Sequence, residues 1–161
     1  MKAVVLGIGN RMRGDDAVGS LVAEELKGTP GLGVFDCGTT PENYIEPVVA
    51  LEPDRILLVD ACSFGGRPGE FRLFEREDIE RLAAGFVSTH TLPLTMTVVM
   101  LEQQTNARIQ LLGIQPANVQ FGETLSASVA SALPDVVRFL AAVFRADRPV
   151  TPLRPRPARD D

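Results

Sequence analysis

Asp15 and Asp16 stand side by side after a glycine-rich turn that runs from Gly7-Ile8-Gly9-Asn10 to Gly14. Strand, glycines and helix in that order resemble a dinucleotide loop only superficially. GxGxxG needs glycine at position 12, which is Met12, and GxxxxGK[ST] has no lysine here. Two carboxylates at a helix start also repel the phosphate that such a loop would hold. The plainer reading of either aspartate is a helix cap; an adjacent pair after such a turn points to function instead. Asp60 ends the most apolar run of the chain, Ile56-Leu57-Leu58-Val59. At a strand end a carboxylate wants a cation, a donor or water, or it starts a turn through its own backbone. His90 is the single histidine and lies in Ser88-Thr89-His90-Thr91-Leu92-Pro93. A residue run leading into proline is extended, so His90 belongs to the loop ahead of a helix. Together Asp16, Asp60 and His90 make two carboxylates and an imidazole with open positions. Nickel, zinc, manganese and cobalt all suit such a set.

Other templates fit poorly. Ser63 lacks the GxSxG elbow, and an Asp16–Asp60 dyad has no aspartic-protease frame around it. Cys37 and Cys62 form no CxxC and read as reduced, buried small hydrophobes that activity does not need.

These residues must be held by elements, and the chain alternates strand and helix signals. Strands are expected at Lys2–Leu6, Gly33–Cys37, Arg55–Asp60, Glu70–Phe74 and Arg108–Ile114. Helices are expected over Asp15–Lys27, Pro41–Leu51, Leu92–Thr105 and Thr124–Phe144, the last interrupted near Pro134. The alternation implies a three-layer α/β fold: a mostly parallel twisted sheet of about five strands with helices on both faces. No helix separates the third and fourth strands, so one strand is antiparallel. Ligands in such sheets sit beyond the carboxyl ends of the strands, which is where Asp16, Asp60 and His90 fall.

The chain has 161 residues, enough for one domain with a real core. Sixteen basic and twenty-one acidic side chains leave a net charge of -5, against general attraction to nucleic acid or anionic lipid. No apolar run reaches the length of a membrane span, and the N-terminus reads as a strand rather than a signal peptide. A cytoplasmic protein is the expectation. One histidine excludes any site in a single chain that needs two imidazoles, HExxH zinc hydrolases included. Residues 1–144 form the single domain. Arg145–Asp161 carries five Arg, three Asp and four Pro, and reads as an Arg/Pro-rich mobile tail.

Six ordered anchors resemble the hydrogenase maturation endopeptidases. They are Gly7-Ile8-Gly9-Asn10 with Gly14-Asp15-Asp16, Thr39-Thr40-Pro41-Glu42-Asn43, Leu57-Leu58-Val59-Asp60-Ala61, Pro68-Gly69-Glu70, Thr89-His90-Thr91-Leu92-Pro93-Leu94 and Leu112-Gly113-Ile114-Gln115-Pro116. The Pro-Glu-Asn and Gly-Ile-Gln-Pro segments are most similar to the branch serving formate-hydrogenlyase-type, group 4 enzymes. The resemblance implies a protease that removes a C-terminal extension from the nickel-loaded large-subunit precursor of a nickel-iron hydrogenase. It places the metal-contacting positions on Asp16, Asp60 and His90, and implies that the nickel they meet comes with the precursor, with no organic cofactor. The attacking water sits on the metal or is activated by Asp16 or Asp60. The family usually has glycine after its Asp-Asp pair, where this chain has Ala17; either that residue is already helical or the turn is altered. A non-catalytic nickel chaperone or sensor, and a nucleotide-binding α/β protein using the Gly7–Gly14 loop, are the competing readings.

Overall fold

The computed structural model describes residues 2–82 and 94–146. Five strands form one sheet: β1 (Ala3–Ile8), β2 (Leu32–Gly38), β3 (Arg55–Ala61), β4 (Phe71–Glu75) and β5 (Arg108–Ile114). Their spatial order is β2-β1-β3-β5-β4. β1 pairs in parallel with β2 and β3, and β3 with β5, while β4 runs antiparallel to β5 at one edge. The lone antiparallel strand is the one that no long helix precedes, as the sequence predicts.

Helices cover both faces. α1 (Val18–Leu26) and α5 (Ala127–Ala146) lie on one; α2 (Ile45–Ala50) and α4 (Leu94–Gln104) lie on the other. A short α3 (Ile79–Leu82), which the sequence pattern does not reveal, follows β4 and buries Ile79. Strand alternation sorts the core. Leu57, Val59 and Ala61 of β3 pack with Val18, Val22, Val136 and Leu140. Ile56 and Leu58 pack with Ile45, Val48, Val98 and Leu101. All seven residues of β3 are buried, which explains its unbroken apolar run.

Two expectations need correction. α5 passes through Pro134 without a break. An interior proline costs about 3 kcal/mol. Val129, Val136 and Leu140 flank it, are fully buried on the same face, and contribute about 1.5–3 kcal/mol each. Packing therefore outweighs propensity. The same helix, from Ala127 to Arg145, is long and apolar enough by composition to cross a membrane, contrary to the reading of the apolar runs. Its geometry is that of a sheet-covering helix: Val129, Ala132, Val136, Leu140 and Phe144 face inward while Asp135 and Arg138 face out. Residues 147–161 of the expected tail lie outside the described residues; α5 itself continues through Arg145 and Ala146.

The chain steps from β1 outward to β2, then crosses back over β1 to β3. That reversal leaves a crevice between the carboxyl ends of β1 and β3, the usual ligand position in an open α/β sheet.

Candidate active site at the carboxyl edge of the sheet

β1 ends at Ile8, and a turn leads into a single 3-10 turn, Gly14–Ala17, that carries both aspartates. Gly14 takes the left-handed conformation the turn demands, with φ of 54°. Ala17 is already helical, with φ of -70° and ψ of -15°, so the usual glycine is not needed there. α1 then sits unusually close to the strands. A Cβ on Gly19 would lie 2.1 Å from the Ile8 carbonyl oxygen and 2.3 Å from that of Val59. Gly19 thus lets the helix start rest directly on the ends of β1 and β3.

The adjacent aspartates are both fully buried, and neither caps a helix. Their partners separate them. Asp15 accepts four hydrogen bonds from the loop between β5 and α5. The donors are the backbone N–H groups of Ala117 (2.8 Å), Asn118 (3.0 Å) and Ser126 (2.8 Å), and the Ser126 hydroxyl (2.8 Å). Four donors on one carboxylate complete its needs and tie two distant loops together. The tie is reinforced by Gly14 N–H on the Gly122 carbonyl (2.8 Å), Gly122 N–H on the Met12 carbonyl (2.7 Å) and Arg13 Nε on the Val119 carbonyl (3.2 Å). Asp16 instead turns toward the glycine turn, its Oδ2 accepting from Asn10 N–H at 3.2 Å. Ser20 donates to the Gly9 carbonyl at 3.2 Å and fixes the same turn.

Asp60 lies on β3 opposite Gly113 of β5, one residue past Val59, which pairs with Gly7 of β1. It is fully buried. Alternation along β3 puts it on the α2/α4 face, beyond Leu58. Gln115 holds the loop that follows. Its Oε1 accepts from Phe64 N–H (2.8 Å) and Gly66 N–H (3.1 Å), and its Nε2 donates to the Ser63 hydroxyl (3.0 Å). Sequence reasoning gave Gln115 no role; the signal was its place in the ordered Gly-Ile-Gln-Pro segment.

Two of the three expected site residues, Asp16 in the 3-10 turn after β1 and Asp60 at the end of β3, thus stand at the sheet edge where the strand order reverses. His90 lies outside the described residues. Among the described residues no group of three His, Cys, Asp or Glu side chains is arranged to hold a metal ion. Cys37 and Cys62 are both free thiols and buried. Burial, with help from the Asp36 and Glu42 charges at Cys37 and the Asp60 charge at Cys62, pushes both up to about 12. Neither is a ready nucleophile.

Comparison with known proteins gives this arrangement a family. The hydrogenase maturation protease model HycI matches residues 18–143. The hydrogenase 3 maturation protease of Escherichia coli K12 is 36% identical over 142 residues, covering 87% of this chain and 89% of that protein. Among solved structures, the [NiFe] hydrogenase maturation protease HycI of Thermococcus kodakarensis superposes with a TM-score of 0.77 at 37% identity, covering 89% of this chain and 92% of that one. The maturating endopeptidase HybD of E. coli, at 22% identity and a TM-score of 0.78, shares the fold. On this fold and these likenesses, the chain belongs to the hydrogenase maturation protease family, in its HycI branch, and is an endopeptidase.

Proposed function

We propose that this endopeptidase removes a C-terminal extension from the nickel-loaded large-subunit precursor of a nickel-iron hydrogenase, with Asp16, Asp60 and His90 meeting the nickel that the precursor carries. The observation that carries the reading is the placement of Asp16, in the turn after β1, and Asp60, at the end of the adjacent strand β3, both fully buried at the edge where the strand order reverses. Burying two carboxylates so close to one crevice is costly unless a cation or donors meet them. Both carboxylates have partners within the protein, and a cation arriving with the substrate would meet their charge in addition. His90 enters this reading from the sequence alone, four positions before Leu94, the first residue of α4.

The nickel would polarise the carbonyl of the bond to be cut, as a Lewis acid does. The chain's own residues orient the substrate. Asn10 and Ser20 hold the Asp16 turn, Gln115 holds the loop after Asp60, and in this reading one of the two carboxylates, or the metal, activates the attacking water. Such a site is a checkpoint, because a precursor without nickel offers these carboxylates nothing to bind. The isolated protein is accordingly expected to purify largely metal-free, since two carboxylates and one imidazole hold a free divalent ion weakly. The reduced, buried thiols suit a cytoplasmic setting. No observation favours a nickel chaperone over a protease, and carboxylates stand where a nucleotide phosphate would need donors.

The deciding experiment incubates the protein with nickel-loaded and with nickel-free precursor and follows release of the C-terminal peptide by mass spectrometry. Cleavage of the loaded form alone is expected. Cleavage of both forms, with stoichiometric metal in the purified enzyme, would replace this reading with a conventional metalloprotease. Metal binding with no cleavage of either would favour the chaperone.

A further inference from the structure

The loop between β5 and α5 carries Phe121 with 81% of its surface exposed. Among the described residues no other large apolar side chain is so open; Met96 follows at 51%. A single exposed apolar side chain is ordinary on a protein surface. Phe121 differs in how firmly the backbone on either side of it is held. Before it, the Asn118 carbonyl accepts from the Asp15 N–H at 2.8 Å, and Asn118 Oδ1 accepts from the Gln120 N–H at 2.8 Å. After it, the Gly122 N–H donates to the Met12 carbonyl at 2.7 Å and the Gly122 carbonyl accepts from the Gly14 N–H at 2.8 Å. Ser126 then closes the loop on Asp15 through its N–H and its hydroxyl, both at 2.8 Å. A ring presented by so braced a loop loses little conformational entropy when a partner covers it. The same bonds place the ring. Gly122 forms an isolated bridge with Arg13, so Phe121 and Met12, itself 42% exposed, each stand one residue before that bridge. Met12 belongs to the turn between β1 and Asp16. Phe121 is therefore fastened to the turn that carries the candidate site, at the carboxyl edge of the sheet. What its side chain offers there is apolar area.

We propose that Phe121 is a docking anchor, seating in an apolar pocket on the surface of the nickel-loaded precursor. The proposal rests on the precursor-processing reading above and adds a contact apart from the carboxylates. The occupant follows from the place. An endopeptidase's substrate is itself a polypeptide, and in that reading it comes to the edge where Asp16 and Asp60 stand, over which the braced loop displays the ring. Aromatic side chains buried in a partner's pocket are where interface energy concentrates. A contact made equally before and during the reaction lowers KM and leaves kcat alone.

The test follows cleavage of nickel-loaded precursor by the full-length protein. Phe121→Ser is expected to raise KM about tenfold or more with kcat within about twofold, the pattern of lost substrate binding. Circular dichroism should be unchanged, since so exposed a ring packs little of the core. Phe121→Gln repeats the measurement should the serine variant not fold. Phe121→Tyr, which keeps the ring, should stay within about threefold of the wild-type KM. Leu51→Ser serves as the control. Leu51 is a large apolar residue, 41% exposed, beside Lys2 and Gly31 at the opposite end of the sheet, and this variant should keep both constants. An unchanged KM in folded Phe121→Ser, a loss confined to kcat, or an equal loss in Leu51→Ser would overturn the anchor while leaving the processing reading intact. Sedimentation that shows a wild-type dimer dissolved by Phe121→Ser, with KM unaltered, would assign the ring to a second copy and also overturn the proposal. Wild-type protein that leaves the loaded precursor uncut would instead overturn the reading on which the proposal rests, and the anchor with it.

Discussion

The two ends of the sheet both bury charged or polar side chains, and they use them in opposite ways. At the amino end, Arg55 of β3 donates from Nε to Gln110 Oε1 of β5 at 2.7 Å. Gln110 Nε2 passes the chain on to Glu75 of β4 at 2.7 Å, and Arg108 meets the same carboxylate at 2.8 Å. The Arg55 guanidinium also lies 5.7 Å from the Phe144 ring centroid, so it clamps α5 as well. These are side chains of paired strands satisfying one another across the ladder. At the carboxyl end, Asp16 and Asp60 stand fully buried in a turn and at a strand terminus, with Asp16 accepting from the Asn10 N–H behind it. Equal burial thus means different things. A network closed across neighbouring strands stabilises the sheet, whereas carboxylates brought to a strand-order reversal stand where open α/β sheets commonly take their ligands.

The sharpest way to break this contrast is at the carboxyl end. Asp16→Ala and Asp60→Ala should each lower the rate of precursor cleavage a thousandfold or more, about 4 kcal/mol of transition-state stabilisation, with circular dichroism unchanged. The double variant should be little worse than either single one, because residues that act as a unit are not additive. Full activity in Asp60→Ala would remove it from the site.

Next in size is Asp15, which lies at the same end but behaves like the other. Asp15→Ala leaves three part-buried backbone donors and a hydroxyl without their acceptor, and should cost about 3 kcal/mol of stability, read by urea denaturation. Asp16→Ala should cost far less on the same measurement. Reversal of that order would erase the distinction between the two neighbours.

Arg55→Met tests the amino end. It should cost about 1–3 kcal/mol by stranding Gln110, while kcat/KM for precursor stays within about twofold. A large loss of activity in folded protein would show that the two ends are coupled.

Smaller still is the alkaline behaviour of the thiols. Cys37 and Cys62 rise from an ordinary value of 9.0 to about 12 in the folded protein. Between those values the native state holds protons that the unfolded state has lost. The thiols' contribution is therefore complete below pH 9 and declines as pH climbs toward 12. The melting temperature should fall across that window, and less so in the Cys37→Ser/Cys62→Ser variant, which should still process precursor. Least of all, removal of residues 147–161 should leave the melting temperature unaltered, with at most a weak, salt-dependent loss of precursor affinity from the lost arginines.

Much of the frame was legible in the residues. The run Ile56–Val59 announces a strand buried on both faces, and Asp60 at its end is placed by that run alone. The antiparallel edge follows from a missing crossover helix. Pro134 misled because propensity is local, while the apolar face that carries α5 through it is matched by a sheet built from distant segments. Ala17 could not be settled either way until its backbone was seen to be helical.

What the sequence determined by itself is periodicity, and through periodicity the alternation of strands and helices that sends Asp16 and Asp60 to one edge. What only the tertiary structure decided is the division of labour between Asp15 and Asp16. The two share a residue type, a turn and complete burial. Asp15 finds its donors 102 to 111 positions away along the chain, and Asp16 finds one six positions back. Local pattern carries no record of which carboxylate points to which loop. That is fixed only when the β5–α5 loop folds over the glycine turn and one side chain, not its neighbour, faces it.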